Sequence, residues 1–146
     1  MGIYAAYAAN LDPAHMFERA PHSPLIGPGW LNGWRLTFGG EDRSWQGALP
    51  TIVEDPTSQV FVMLYALTDA DENGLDSAEG FDLGMYRKIK VRVSTLERDV
   101  TAWIYVVEGY EDGLPRDTTL MTIVAAATVA GAPTDYIADL AKRPTA

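Results

Sequence analysis

The chain is a succession of short apolar runs separated by polar segments rich in Gly, Pro and Asp. Residues 3–7, aromatic and alanine, predict a buried strand that ends at Asn10-Leu11-Asp12-Pro13. Asp12 followed by Pro13 predicts a helix start, because an Asp side chain accepts a backbone N–H as N-cap and proline's fixed φ suits the first helical position. That helix should run to about Arg19. From Ala20 to Gly33 the pattern is broken by Pro21, Pro24, Pro28, Gly27, Gly29 and Gly33, and reads mainly as connection with room for one short strand.

Trp34–Phe38 and Ala48–Val53 predict strands separated by a Gly-rich loop, and the apolar run Val60–Leu67 predicts a core strand. Thr68, with Asp71 three residues on, forms an acidic variant of the capping box and opens a helix that Gly80 can close as a left-handed residue, with Glu79 at its end. Tyr86–Val93 alternates strictly, and Ala102–Val107 makes a second strand across a charged turn at Glu97–Asp99. Gly109–Asp117 is a polar loop, Thr118–Ala130 an alanine-rich helix, and Pro133 starts a last helix reaching about Ala141. Strands and helices that do not alternate regularly predict an α+β fold: a mostly antiparallel, barrel-like sheet flanked by helices.

Composition narrows the function more than the fold. A length of 146 residues predicts one domain with one core. A net charge of −9 argues against a nucleic-acid partner, whose affinity rests on cationic side chains. The basic residues Arg87, Lys88, Lys90 and Arg92 alternate with Ile89, Val91 and Val93 and read as the wet face of a strand. With no cysteine, thiol nucleophiles, thiolate metal sites and disulfides drop out, and a cytoplasmic location is expected. The start of the sequence lacks a signal-peptide pattern, Ala6 stands where a myristoylation motif needs Ser or Thr, and no apolar stretch approaches the ~20 residues of a membrane span.

Candidate chemistry lies in two places. The common phosphate-loop, dinucleotide, zinc-protease and serine-elbow motifs are missing, which leaves acid/base chemistry or binding. His15 and His22 are the only imidazoles and do not suggest a metal site; His22-Ser23, bounded by prolines, reads as a turn. The acidic helix carries Asp69, Asp71, Glu72, Asp76 and Glu79, ordinarily a solvated face. At about 100° per residue, however, Glu72, Asp76 and Glu79 share a stripe, with Glu79 on the side nearest Leu75 and Ala78. A carboxylate at that boundary can point inward with a raised pKa. The second place is Tyr7-Ala8-Ala9-Asn10-Leu11, a strand-to-helix turn of the sort whose free N–H groups can hold an anion.

The two features occur together in the γ-glutamyl cyclotransferase (AIG2-like) family, which the sequence resembles along almost its whole length. The family's Tyr-Gly-Ser-Asn-Leu corresponds to Tyr7-Ala8-Ala9-Asn10-Leu11, its Glu-Gly to Glu79-Gly80, followed by Gly84-Met85-Tyr86, and its C-terminal pattern to Gly131-Ala132-Pro133 with Tyr136. The resemblance implies a small mixed β-barrel with surrounding helices and a reaction without cofactor. In that reaction the α-amine of a γ-glutamyl group attacks its own side-chain amide, releasing 5-oxoproline and an amine or amino acid. It implies Glu79 as general acid/base, the Tyr7–Leu11 backbone as glutamyl and oxyanion holder, and Tyr86 as a pocket wall. The partner is then a small γ-glutamyl molecule, with a homodimer left open. Ala8 and Ala9 stand for the family's Gly and Ser, and Thr119 for its substrate-facing Tyr. If the first of these positions needs φ > 0, alanine costs about 1–2 kcal/mol there. These departures keep two alternatives in view: a biosynthetic relative with altered substrate or cyclisation, and a non-catalytic binding protein on the same fold.

Overall fold

A computed structural model of the chain describes residues 2–39, 48–79, 81, 86–107 and 113–145. Five strands, β1 (Gly2–Ala6), β2 (Leu25–Gly39), β3 (Leu49–Leu67), β4 (Arg87–Ser94) and β5 (Asp99–Val106), close into a barrel in the order β1-β3-β2-β4-β5. Neighbours are antiparallel except β1 and β5, which close the barrel through a parallel bridge at Tyr4 and Trp103. Four helices surround it: α1 (Pro13–Arg19), α2 (Asp69–Glu79), α3 (Asp117–Val129) and α4 (Thr134–Ala141). The expected α+β barrel flanked by helices is the fold observed.

The segment read as connection is where strand structure exceeds expectation. β2 begins at Leu25 and runs through Pro28, Gly29 and Gly33, with register shifts between Leu25 and Gly27 and between Asn32 and Trp34. Bulges let a long strand bend around a small barrel, and glycines tolerate them, so the residues that looked like loop punctuation are corners. Gly29 has a second duty: a Cβ there would lie 2.5 Å from Val93 Cγ1 and 3.1 Å from the Ser94 carbonyl, where β2 meets β4. The two predicted strands Ala48–Val53 and Val60–Leu67 are likewise one strand, β3. They looked separate because Asp55–Ser58 leaves the ladder in a polar excursion held by the Asp55 carboxylate, which accepts from Thr57 N at 3.0 Å and Ser58 Oγ at 3.0 Å.

Helix termini follow their local chemistry. Asp12 Oδ1 accepts from Ala14 N at 2.9 Å and Pro13 takes the first helical position, as predicted. Thr68 Oγ1 accepts from Asp71 N at 3.2 Å, but the other half of the predicted box is absent. Asp71 instead accepts from His22 N and Ser23 Oγ, both at 2.8 Å, while Ser23 Oγ accepts from Thr68 N at 3.1 Å. The His22-Ser23 turn is thus a strut between the α1–β2 connection and the start of α2. The end of α3 is a Schellman cap: Gly131 has φ 84°, its N–H reaches the Thr128 carbonyl at 3.2 Å, and Ala132 N reaches the Ala127 carbonyl at 3.1 Å. The Gly80 cap, Gly84-Met85, the Gly-rich loop at 40–47 and residues 109–112 of the polar loop lie outside the described residues.

The barrel interior is filled by fully buried aliphatics such as Leu31, Val62, Leu64, Val93 and Ile104, each contributing about 1.5–3 kcal/mol by leaving water. Helix α3 buries Leu120, Ile123, Ala126 and Ala127, and packs on α4 and on the 3-10 turn Ala9–Leu11 that follows β1. Among the described residues no helix is long and apolar enough to cross a membrane.

Candidate active site

The turn after β1 is pinned from several sides. The Tyr7 hydroxyl has the Tyr105 carbonyl at 2.7 Å and the Pro50 carbonyl at 3.1 Å as acceptors for its single proton, which ties the end of β1 to β5 and β3. Tyr65, on β3, donates its hydroxyl to the Asn10 carbonyl at 2.8 Å. Ala8 has φ −128°, outside the left-handed region, so the penalty tied to φ > 0 is not incurred, while its ψ of −126° falls in neither the α nor the β region. The penalty entertained from sequence does not arise. The first N–H groups of a helical turn have no partner within the turn, and none of the hydrogen bonds among the described residues uses Ala8 or Ala9 N–H as donor.

Helix α2 delivers Glu79 to this turn. Asn10 Nδ2 donates to Glu79 Oε1 at 2.8 Å and to the Tyr4 hydroxyl at 3.1 Å. A carboxylate acceptor fixes which end of the amide faces Glu79, and leaves buried Asn10 Oδ1 without a partner among the described residues. Burial pushes the Glu79 carboxyl above its ordinary pKa; the Asn10 hydrogen bond and the charges of Arg19 and His15 pull the other way without cancelling it. Burial also raises the phenols of Tyr4 and Tyr86, and the nearby Glu79 charge raises both further, so both stay neutral hydroxyls. These groups surround a cavity of about 420 Å³.

One turn earlier on α2, Asp76 has a different setting. Its Oδ1 accepts from the Tyr105 hydroxyl at 2.5 Å and its Oδ2 from Lys88 Nζ at 2.9 Å, while Lys88 also donates to Glu72 Oε2 at 2.6 Å. The ammonium sits 4.5 Å from the Phe81 ring centroid and 4.7 Å from that of Trp103. Burial works against its charge, but the hydrogen bonds to Glu72 and Asp76 prevail and hold its pKa above the ordinary value. Lys88 is therefore half-buried on the face predicted to be wet, where Lys90 and Arg92 stay exposed; Arg87, also exposed, falls by alternation on the other face with Ile89. The predicted acidic stripe divides: Asp76 is buried and Glu79 partly so, while Ala78, expected to flank Glu79 on the apolar side, is exposed.

Of the residues singled out from sequence, Tyr7, Ala8, Ala9, Asn10, Glu79, Tyr86 and Thr119 all line the cavity. Leu11 does not; it is fully buried in the core beneath the turn. The cavity also takes Tyr4, His15, Arg19, Pro50, Tyr105, Thr122 and Ile123. Tyr4 and Tyr105 sit in strands, where an aromatic reads as core. His15 and Arg19, four apart on a predicted helix beside the loop, offered a signal: Arg19 Nε donates to His15 Nε2 at 3.1 Å. A second groove, about 480 Å³, lies between α4 and the β2–β3 pair, but its acids Asp135 and Asp139 are exposed and it has no counterpart of Glu79.

Comparison with known proteins converges on this arrangement. The chain is 29% identical over 139 residues to a Homo sapiens protein named gamma-glutamylcyclotransferase, covering 92% of this chain and 74% of that protein. The Bos taurus protein of the same name is 30% identical over the same shares. A solved structure named gamma-glutamyl cyclotransferase superposes with a TM-score of 0.88 at 27% identity, covering 99% of this chain and 89% of that one. YkqA from Bacillus subtilis, at 18% identity, shares the fold with a TM-score of 0.80, covering 99% of this chain and 55% of its own. The model of the AIG2-like family matches residues 59–140, more than half the chain. On these matches the chain belongs to the AIG2-like family and carries the γ-glutamyl cyclotransferase fold.

Proposed function

We propose that the protein is a γ-glutamyl cyclotransferase with Glu79 as its acid/base group. The observation that carries the reading is a partly buried carboxylate, raised in pKa by desolvation, held by Asn10 at the wall of a cavity. The neutral α-amine of the bound γ-glutamyl group attacks its side-chain amide carbon, forming the C–N bond of the 5-oxoproline ring. Glu79 accepts a proton from the attacking nitrogen and returns one to the departing nitrogen, whose bond to carbon breaks. A raised carboxyl pKa serves both halves, because it brings the base closer to the amine it deprotonates and makes the protonated form a usable acid. The N–H groups of Ala8 and Ala9, without an acceptor among the described residues, supply donors for the developing oxyanion, which backbone can do whatever its side chains. Tyr86 and Thr119 complete the wall. The substrate is thus a small γ-glutamyl compound. The net charge of −9 and lack of cysteine support a cytoplasmic protein with no nucleic-acid partner.

The test is release of 5-oxoproline from a panel of γ-glutamyl amides by the wild type and Glu79→Gln. Wild-type turnover that falls by about two to four decades in the variant, with the fold retained, is expected. Unchanged turnover in the variant removes Glu79 from the mechanism. The absence of the family's Ser and Tyr hydroxyls, at Ala9 and Thr119, favours one competitor, a binding protein. Calorimetric binding of the panel with no 5-oxoproline from any member would establish that alternative.

A further inference from the structure

Four tyrosines are buried among the described residues, and the hydroxyl protons of three have an acceptor within the protein. Tyr7 has the Tyr105 and Pro50 carbonyls, Tyr65 donates to the Asn10 carbonyl, and Tyr105 donates to Asp76 Oδ1. Tyr4 is the exception. Its oxygen accepts from Asn10 Nδ2 at 3.1 Å, and its own proton has no acceptor among the described residues. A buried donor left without an acceptor is costly, and this one belongs to a side chain that lines the cavity. The ring around it is held on three sides, with centroids 4.9 Å from Trp103, 5.7 Å from Tyr105 and 6.3 Å from Tyr65. Asn10 Nδ2 gives its other proton to Glu79 Oε1 at 2.8 Å, so one amide nitrogen bridges the phenol oxygen and the carboxylate. The attacking nitrogen and the carbonyl oxygen of a γ-glutamyl amide share one carbon once the ring begins to form. The base that serves that nitrogen and a donor that serves that oxygen therefore have to be near neighbours, as Glu79 and Tyr4 are.

We infer that Tyr4 is a further catalytic residue, whose hydroxyl donates a hydrogen bond to the γ-carbonyl oxygen of the substrate as that oxygen gains negative charge. The inference rests on the proposed cyclotransferase reading and adds a side-chain donor to the N–H groups of Ala8 and Ala9. No proton changes hands at Tyr4. As the amine–carbon bond forms, the carbonyl electron pair moves onto oxygen and strengthens the hydrogen bond; the pair returns when the departing nitrogen leaves with a proton from Glu79. Burial, reinforced by the charge of Glu79, raises the phenol pKa and keeps the donor protonated through the cycle. The hydrogen bond received from Asn10 polarises the Tyr4 O–H and makes it a stronger donor, and a fixed ring spends no reorganisation when charge appears.

The test compares wild type and Tyr4→Phe on the panel of γ-glutamyl amides, γ-glutamyl-L-alanine among them, and on the matching γ-thioamides, in which sulfur replaces the carbonyl oxygen. Sulfur is a weak acceptor, so the oxygen-to-sulfur rate ratio reads the donors at that atom, and within one preparation it does not depend on how much of the variant is folded. Tyr4→Phe keeps the ring and loses only the hydroxyl. It should lower kcat by about 100-fold with KM little changed, and shrink the oxygen-to-sulfur ratio about tenfold. The acid limb of kcat/KM should stay at its wild-type position, because Glu79 keeps its hydrogen bond from Asn10. A kcat within about twofold of wild type overturns the inference. An unchanged oxygen-to-sulfur ratio overturns it too, as does an acid limb displaced in the way expected of Asn10→Ala; either makes Tyr4 a support for Asn10 and Glu79 while leaving the activity standing. Release of 5-oxoproline from no member of the panel by wild type defeats the cyclotransferase reading itself, and the inference with it.

Discussion

Two carboxylates one helical turn apart on α2 are treated in opposite ways. Asp76 receives a phenol and an ammonium, and that ammonium is shared with Glu72 and cradled by two aromatic rings. Glu79 receives one amide donor from Asn10, and its burial is left partly uncompensated. The first arrangement fastens a helix to the barrel wall; the second leaves a group able to exchange a proton. Sharing a helix face does not give two acids the same role. What separates them is how completely the surroundings satisfy the charge.

The comparison breaks most directly if the two sites respond alike to loss of charge. Glu79→Gln should cost two to four decades of turnover, and Asp76→Asn, assayed under conditions where it is folded, about tenfold or less. Equal losses in two folded variants would erase the distinction. Stability should rank the other way. Asp76→Ala strands the Tyr105 hydroxyl and leaves Lys88 with Glu72 alone, and should lower unfolding free energy by about 1–3 kcal/mol in urea titration. Glu79→Gln should instead raise it at neutral pH. The sign follows from linkage: a carboxyl whose folded pKa lies above its unfolded value favours folding when protonated, and that contribution is lost as pH rises through the folded pKa. The gain should vanish on acidification below the ordinary glutamate range, which a pH series of urea titrations would show.

A smaller effect sharpens the Glu79 side. Turnover should fall as pH drops through the raised Glu79 pKa, because the base is then protonated. Asn10→Ala removes a hydrogen bond that favours the charged carboxylate and should move this acid limb upward, read from a kcat/KM profile. The smallest effect is expected at Ala8. With φ at −128° the position does not take the left-handed backbone that favours glycine, so Ala8→Gly should leave turnover within about twofold and cost up to about 1 kcal/mol through unfolded-chain entropy. A large rise in turnover would show that the loop works in a conformation other than this one.

What could be read from sequence follows the range of the interactions involved. The Asp12-Pro13 start of α1, the Thr68 cap and the alternation of β4 are short-range patterns, and they led to the right elements. β2 was underread because a barrel corner and a loop use the same residues, Gly and Pro, and only the long-range pairing with β3 tells them apart. At the site, helical spacing brought Glu79 to notice, but the difference between Glu79 and Asp76 depends on Lys88, Tyr105 and Asn10, which come from three other parts of the chain. Leu11 belongs to the same motif as its neighbours and still turns into the core, because a tight turn sends consecutive side chains in different directions. Tyr105 was missed for a related reason, since its neighbours in sequence are not its neighbours in the cavity, whereas Arg19 was missed although its helical spacing from His15 offered a signal.

The bridge between Tyr4 and Trp103 sets the order in which the molecule can be completed. Its two partners lie about a hundred residues apart, so β1 has no second edge to settle against until β5 has been made. During synthesis the earliest strand must wait for one of the latest, with its apolar face dependent on β3 in the meantime. The cavity lies beside that seam and draws on both Tyr4 and Tyr105. A nascent chain therefore gains its chemistry late, close to the moment the barrel shuts, and slow closure would show as a lag between the appearance of strand structure and the first turnover.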